Sequence, residues 1–259
     1  IVLCLVGSEM CIRDRTLEFT KQGNPYKFGL IGSSDTHVVA SSLDESNYWS
    51  KVGLLDGDPE NRGSVPLKEE NVARLEEYMR AFNQPISTVT LEQGEYANTG
   101  FTQWGASGLA AAWAEENTRE SLFAAFRRKE TFATTGPRIS VRFFGGYNLS
   151  SIDLNSESLV SEAYSKGVTM GADLLNNDDQ IPEFIVWALR DMNSAPLQRI
   201  QIIKGWIDMN SGRPKEKVFD VACSDGLEPD PITNRCPDNG ARVNINDCSI
   251  TSNVGSSEL

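Results

Sequence analysis

The chain has 259 residues, enough for one large domain or two ordinary ones with a substantial buried core. Its 39% of hydrophobic and 23% of charged residues are typical of a globular protein and exclude general disorder. The 36 acidic against 24 basic residues give a formal net charge of -12, which excludes a general affinity for nucleic acid or anionic lipid and leaves any anionic substrate to a metal or a local arginine.

Residues 1–15 are interpreted as a non-native leader. The apolar run IVLCLVG at the start is far shorter than the roughly 18 to 20 residues of a membrane span, and no basic segment precedes it as in a signal peptide. The stretch CLVGSEMCIRDR resembles translated adaptor sequence. The alternative is that these residues form a genuine helix or strand.

The next segment, TLEFTKQGNPYKFGLIG, predicts a helix end closed by Gly23 and then a strand from about Tyr26 to Ile31. A helix, a short loop and an apolar strand in succession indicate an α/β unit. The motif SSDTH then falls at the carboxyl end of the strand. Residues 38–66 are rich in Asp, Gly, Ser and Asn and predict a long surface excursion.

Two helices follow. The segment KEENVARLEEYMRAF is amphipathic, with an apolar stripe of Val72, Leu75, Met79 and Phe82. In the second helix, Asn117 and Glu120 resemble a capping box, and Arg127 and Arg128 lie in the last turn. Its predicted inner stripe consists of Leu122, Phe123 and Phe126.

After Pro137 the periodicity changes from 3.6 to 2, which predicts a boundary near residue 140 and a β-rich segment beyond it. Strand-like runs cover 138–146, 182–191, 197–208 and 216–222, and antiparallel pairing is expected. The side chains expected to face the core are Ile139, Val141 and Phe143, and likewise Phe184, Val186 and Ala188. Arg142 and Lys204 are expected near solvent.

Three cysteines, Cys223, Cys236 and Cys248, lie close together in a polar, turn-rich stretch. One disulfide among them would suit an oxidising compartment, and the sequence leaves the pairing open. A zinc site is disfavoured because the stretch has no C-x-x-C pair and no nearby histidine. The expected localisation is therefore periplasmic or secreted.

The motif GLIGSSDTH contains the only histidine of the chain. In an extended segment Asp35 and His37 point the same way, with Cα atoms about 6.5 to 7 Å apart, so both can ligate one metal or adjacent metals. Pattern alone leaves a structural role for the pair equally open. Two ligands do not make a catalytic centre, since catalytic zinc usually has three protein ligands and an open position.

This motif, together with the later GLAAAWAEENTRESLFAAFRRKETFATTGPRISVRFFGG, resembles the polymerase and histidinol phosphatase (PHP) superfamily, in which a late D-x-H supplies metal ligands. The helix with the run K-x-T-F-A-T-x-G-x-R-I is similar to its carbaryl-hydrolase-like branch, whose pattern has arginine in place of Lys129. Residues 16–259 resemble, more closely, the C-terminal part of a large bacterial family catalogued as a domain of unknown function. The resemblance extends to QIIKGWID and EKVFDVACSDG.

The resemblance implies an α/β fold class: the C-terminal portion of a PHP-like α/β barrel over 16–140, followed by a β-rich, sandwich-like segment over 141–259. It implies Asp35 and His37 as ligands of divalent metal ions, either zinc, manganese or iron. Glu115 and Arg119 are the candidate catalytic residues, with Glu116, Asn117 and Arg138 as weaker candidates. For each, a cap, a surface position or an ordinary salt bridge explains the residue equally well.

The expected function is that of a fragment of a metal-dependent hydrolase, which acts on a phosphoester, ester or carbamate through metal-activated water. The H-x-H motif that the superfamily carries upstream is missing here, so this chain is expected to be inactive alone. The alternative is a β-rich binding or interaction module in which the D-x-H is structural. The expected partner is a small-molecule or ester substrate, without nucleic acid or a membrane span, and the sequence leaves the oligomeric state open.

Overall fold

The computed structural model describes the second half of the chain almost completely and the first half in pieces. The described residues are 29–33, 37, 60, 63, 65–81, 83, 88–98, 108–177, 179–244, 249–251 and 253–259. The predicted leader 1–15, the helix end at Gly23, and most of the surface excursion 38–66 lie outside these residues.

Three α-helices and nine strands lie within the described residues. The helices are α1 (Glu69–Ala81), α2 (Arg119–Arg128) and α3 (Leu159–Lys166). The strands are β1 (Thr88–Leu91), β2 (Gly94–Ala97), β3 (Ala110–Ala112), β4 (Thr131–Ala133), β5 (Ser140–Gly146), β6 (Gly167–Thr169), β7 (Glu183–Leu189), β8 (Arg199–Asp208) and β9 (Arg213–Cys223). A short 3-10 turn spans Leu149–Ser151. None of the described helices has the length and apolar character needed to cross a membrane.

The described residues divide into two compact units. The larger contains 29–31, Ala110–Ala133 and Pro137–Leu259, and the smaller contains the described residues between 32 and 109 together with Thr134–Gly136. In the smaller unit, Leu75 and Met79 of α1 pack with Ala97 of β2 in one buried cluster. This is the apolar stripe expected for this helix, whose last member, Phe82, lies outside the described residues.

The predicted α/β barrel is wrong. Every described strand pair is antiparallel, the sheets have only two or three strands, and none of them closes. Residues 29–31, the described end of the strand predicted from about Tyr26 to Ile31, form no strand. The physical reason is that a parallel strand depends on a distant partner, whereas most strands here pair with neighbours in sequence, as in β1–β2 and β8–β9.

The β-rich character of the segment after Pro137 is confirmed. All four strand-like runs form strands: β5 pairs with β6 and β7 in a three-stranded sheet, and β8 pairs with β9 in a long hairpin. The register places Val141 opposite Ala188 and Phe144 opposite Ile185. The period-2 signal therefore identified the strands correctly.

Both faces of the three-stranded sheet are packed. One face carries Val186 and Ala188, which cluster with Ile139, Leu197 and Ile200, as the alternation predicted. The opposite face carries a second cluster, formed by Phe144, Leu149, Ile152, Ala163, Ile185 and Trp187. The expectation for Phe184 is wrong, because it is 52% exposed and its ring stacks on Phe143. Lys204 is exposed as expected.

The second predicted helix is present, but its cap and inner face differ from the expectation. Thr118, and not Asn117, is the N-cap, and its hydroxyl accepts a hydrogen bond of 3.3 Å from the Ser121 N–H. Phe123 is 63% exposed and Phe126 is 51% exposed, whereas Ala125 is buried. The side that packs is thus the small-residue side, which the sizes of the side chains did not indicate.

Candidate functional site

The D-x-H motif follows a segment that runs beside the start of β4. The carbonyl of Leu30 accepts a hydrogen bond of 2.8 Å from the Thr131 hydroxyl, and Gly29 approaches so closely that a Cβ there would lie 3.0 Å from Lys129 Cβ. The parts of the two motif stretches that lie in the larger unit, residues 29–31 and 129–131, are therefore in contact.

The same two stretches also meet in the smaller unit. Gly108 lies between them, since a Cβ on this residue would be 2.7 Å from the Thr134 carbonyl and 2.9 Å from that of Ser33. Leu109 is held beside Thr134 by two hydrogen bonds of 3.0 Å, one to its hydroxyl and one between the backbones. A glycine is required here because no side chain fits between these backbones.

Of the two predicted metal ligands, His37 is described and is exposed on a bend, while Asp35 lies outside the described residues. Among the residues that the structure describes, no three His, Cys, Asp or Glu side chains come together in a group that could hold a metal. The imidazole of His37 is accessible to a ligand from solution. The metal site stays a prediction.

The predicted catalytic residues are separated by the start of α2. Glu115 lines a cavity of the larger unit, whereas Arg119 stands exposed in the first turn of the helix and does not line that cavity. Glu116 accepts a hydrogen bond of 3.3 Å from the Thr118 hydroxyl, which accounts for it as part of the helix start. The backbone N–H of Arg138 donates to Asp191 at 2.8 Å, and its side chain is at the surface.

The cavity has a volume of about 590 Å³ and is lined by residues between β3 and α2, by the end of α2, and by residues of β5, α3 and β6. Its polar wall is formed by Glu115, Arg128, Glu130, Arg142, Tyr164 and Thr169. Its apolar wall includes Trp113, Ala114, Val168 and Ala172. A volume of this size is ordinary for a small-molecule site.

Glu130 is the most deeply placed polar residue of the cavity, only 1% exposed. Its carboxylate accepts hydrogen bonds from the Tyr164 hydroxyl, from Thr169 Oγ1 at 3.1 Å and from Arg128 Nε at 3.3 Å. Burial, together with the hydrogen bond to Glu130, raises the pKa of Tyr164, and the nearby Arg142 opposes that rise. The tyrosine therefore stays protonated and acts as a donor to Glu130.

Arg142 lies over the ring of Trp113, with its guanidinium carbon 3.7 Å from the ring centroid. Its Nη1 donates a hydrogen bond of 3.2 Å to the Tyr164 oxygen, and Trp113 Nε1 donates to the Val141 carbonyl at 2.9 Å. The expectation that Arg142 stays near solvent is corrected: it faces the same side of the sheet as Phe144 and is half-buried in the cavity wall.

Sequence reasoning missed Glu130, although the alternation of the segment contained a signal. Glu130, Phe132 and Thr134 are two residues apart, and all three are buried. A charged residue two positions from a buried phenylalanine in a strand points to the same side, into the protein, and needs hydrogen-bond or ion-pair partners there. The partners come from α3 and β6, which are distant in sequence, so the pattern alone does not identify them.

One family model matches the chain, over residues 13–259, and its description is "Protein of unknown function (DUF3604)". Because the match covers nearly the whole chain, the protein belongs to this family. Neither the curated proteins nor the solved structures contain a significant match to the chain.

Proposed function

We propose that this protein takes part in metal-dependent hydrolysis, with Asp35 and His37 as metal ligands. The observation that carries the proposal is the pairing of the two motif stretches, since Leu30 contacts Thr131 and Gly108 joins Ser33 to Thr134. The resemblance to the PHP superfamily and to its carbaryl-hydrolase-like branch rests on these same stretches. These contacts, each made within one unit, support the resemblance from which the metal site is taken.

The chemistry follows from the residue types. A divalent metal ion held there, whether zinc, manganese or iron, would supply a bound water of lowered pKa and polarise a phosphoryl or carbonyl oxygen. His37 would ligate as a neutral imidazole, and Asp35 would contribute a carboxylate oxygen. The substrate class proposed is a phosphoester, ester or carbamate, and Glu115 and Arg119 remain the proposed catalytic residues. Only the metal chemistry of the PHP superfamily is proposed for this protein, and its α/β barrel is not.

The single histidine makes this proposal directly testable. Because His37 is the only imidazole, its ring signals in an NMR spectrum are unambiguous, and titration with Mn²⁺ should broaden them at low metal concentration. The substitution Asp35→Asn should lower the affinity for Mn²⁺ at least about tenfold, because one ligand of the metal is lost. The matched control is Asp179→Asn, which changes an exposed aspartate of the larger unit.

An exposed histidine binds metal weakly by itself, so the difference between the variants decides the question. If Asp35→Asn and Asp179→Asn bind Mn²⁺ like the unaltered protein, the D-x-H is not a metal site. Hydrolysis of p-nitrophenyl phosphate and p-nitrophenyl acetate gives a second measurement. Any activity found should be lost with EDTA and with His37→Ala, and activity that survives both would contradict the proposal.

A periplasmic or secreted location is part of the proposal. The disulfide between Cys223 and Cys236 supports it, because such bonds persist in oxidising compartments. Alkylation of the protein in intact cells, followed by mass spectrometry with and without reductant, tests the location. Free thiols at both positions in the native cell would contradict it.

A further inference from the structure

We propose that the cavity lined by Glu130 and Arg142 is a binding site for a small organic molecule that carries a carboxylate or phosphate group, and that Arg142 holds this oxyanion. The site goes beyond the proposed hydrolase function and uses neither Asp35 nor His37, although the proposed catalytic residue Glu115 also lines this cavity. It lies entirely within the larger unit.

Arg142 is fixed in place without an ion pair to any of the described residues. Its guanidinium plane lies against Trp113 at 3.7 Å, and Nη1 donates to Tyr164. None of the ion pairs formed within the described residues includes Arg142. A half-buried guanidinium that lacks a carboxylate partner retains most of its five donors for a ligand.

The nearby carboxylate of Glu130 does not serve as that partner, because its hydrogen bonds and its charge are already matched. The Glu130 carboxylate already accepts from Arg128, Thr169 and Tyr164, and the ion pair with Arg128 balances its charge. The Tyr164 hydroxyl lies between Arg142 and Glu130, accepting from the first and donating to the second. Arg142 is thus oriented by a neutral oxygen, and its positive charge is left for the cavity.

The groups that line the cavity indicate the class of ligand. Recognition by stacking on Trp113 would need an open face of its ring, but Arg142 covers one face and the ring also stacks with Phe132. The donors that remain favour a planar or tetrahedral oxyanion, which a guanidinium fork binds with two parallel hydrogen bonds. The apolar wall, with Val168 and Ala172, fits the carbon body of such a molecule.

The overall net charge of -12 means that an anion is not attracted to the protein surface in general. The mean field of the protein repels an anion, so binding must come from the local guanidinium and not from the general surface. Removal of Arg142 should then weaken anion binding, whereas removal of an exposed arginine elsewhere should not.

The experiment uses benzoate and phenyl phosphate as the anionic probes and benzamide as the neutral probe, followed by NMR of the assigned Trp113 Nε1–H and Arg142 Nε–H signals. A fragment of about ten heavy atoms is expected to bind in the millimolar range. Benzoate or phenyl phosphate should shift both signals in a saturable way, and benzamide should not. The tighter of the two anions identifies which oxyanion the site prefers.

Three variants make the assignment specific. Arg142→Gln should lower the affinity for the anion at least about tenfold. Arg142→Lys should recover only part of this affinity, because an ammonium group cannot form the two parallel hydrogen bonds of a guanidinium. Arg213→Gln, on the exposed end of β9, should bind like the unaltered protein. Thermal unfolding of each variant shows whether Arg142→Gln remains folded.

The titration of the unaltered protein decides the matter even if Arg142→Gln fails to fold. The proposal is overturned if neither anion shifts the Trp113 and Arg142 signals at concentrations on the order of 10 mM. It is also overturned if benzamide shifts them as strongly as benzoate, because the guanidinium would then play no part.

Discussion

The guanidinium of Arg199 donates a hydrogen bond of 3.1 Å to the carboxylate of Asp220. This pair links β8 to β9 at the end of the hairpin that lies away from its turn. The Asp220 side chain is fully buried. It also accepts from Gln201 at 2.6 Å, from the Cys236 backbone N–H at 2.7 Å and from Arg235 at 3.2 Å. One carboxylate therefore connects both strands of the hairpin to the loop that carries the disulfide.

Replacement of this carboxylate should be destabilising. Asp220→Asn keeps the size of the side chain but removes the anion that Arg199 and Arg235 share; because both arginines are partly exposed, the loss should be about 1 to 3 kcal/mol. Urea unfolding measures the loss. The control is Asp238→Asn, whose partner Arg242 is exposed, and which should cost about 0 to 1 kcal/mol. Equal losses in the two variants would contradict the role assigned to Asp220.

The contribution of Asp220 should depend on pH. Burial acts to raise the pKa of Asp220, but the hydrogen bonds from Gln201, Cys236, Arg199 and Arg235 outweigh it and hold the pKa below its ordinary 3.8. A lowered pKa in the folded state stabilises the protein above pH 3.8, and this stabilisation is lost as the pH falls through the folded-state pKa.

The measurement is the difference in unfolding free energy between the unaltered protein and Asp220→Asn. It should be constant between pH 5 and 7 and should shrink as the pH is lowered below the ordinary 3.8 of the carboxyl. The subtraction removes the effects of the other carboxylates, which are present in both proteins. A difference that stays constant down to pH 2 would show that ionisation of Asp220 does not stabilise the fold.

The disulfide between Cys223 and Cys236 closes a loop with a sequence separation of 13 residues. The chain-entropy estimate for a loop of this size is about 3 kcal/mol, so the double variant Cys223→Ser with Cys236→Ser should lose about that much in urea unfolding. Peptide mapping without reductant should recover the two cysteines in one linked peptide. A linkage of either residue to Cys248 would contradict this pairing.

Local patterns predicted β5, β7, β8 and β9 and the helices α1 and α2, because the causes of these elements are local, but they did not predict the short strands β1–β4 and β6 or the helix α3. The alternation in β5, β7, β8 and β9 and the apolar stripe of α1 depend only on residues close in sequence. The barrel was inferred instead from a resemblance and from a helix–loop–strand rhythm, and neither determines which strands pair. Pairing is a long-range property, and here it is antiparallel throughout the described residues.

The candidate site likewise has features that the sequence predicts and features that depend on long-range contacts. The spacing of Asp35 and His37 was visible in the sequence, as was the presence of Glu115 in a motif. The cavity could not be predicted from the sequence. Glu130 and Arg142 line it together only because α3 supplies Tyr164 and β6 supplies Thr169 as their partners. Alternation even assigned Arg142 to solvent, because it does not indicate that both faces of a sheet are covered.

A final prediction concerns Gly171, which follows β6 at one side of the cavity. Its φ is 81°, and a Cβ at this position would lie 2.1 Å from the Lys129 carbonyl oxygen. Gly240 has nearly the same backbone, with φ of 80°, but a Cβ there would meet nothing within 4 Å. The pair therefore separates the cost of a left-handed backbone from the cost of steric overlap.

Gly240→Ala should lose only the backbone contribution, about 1 to 2 kcal/mol. Gly171→Ala should lose the same amount and, in addition, about 1 to 3 kcal/mol for the overlap with Lys129, both read from urea unfolding. Because Lys129 precedes Glu130 and Gly171 precedes Ala172, relief of the overlap moves two walls of the cavity apart. Gly171→Ala should therefore also weaken benzoate binding, which Gly240→Ala should leave unchanged. Equal stability and equal binding in the two variants would show that β6 and the end of α2 are not packed as closely as Gly171 requires.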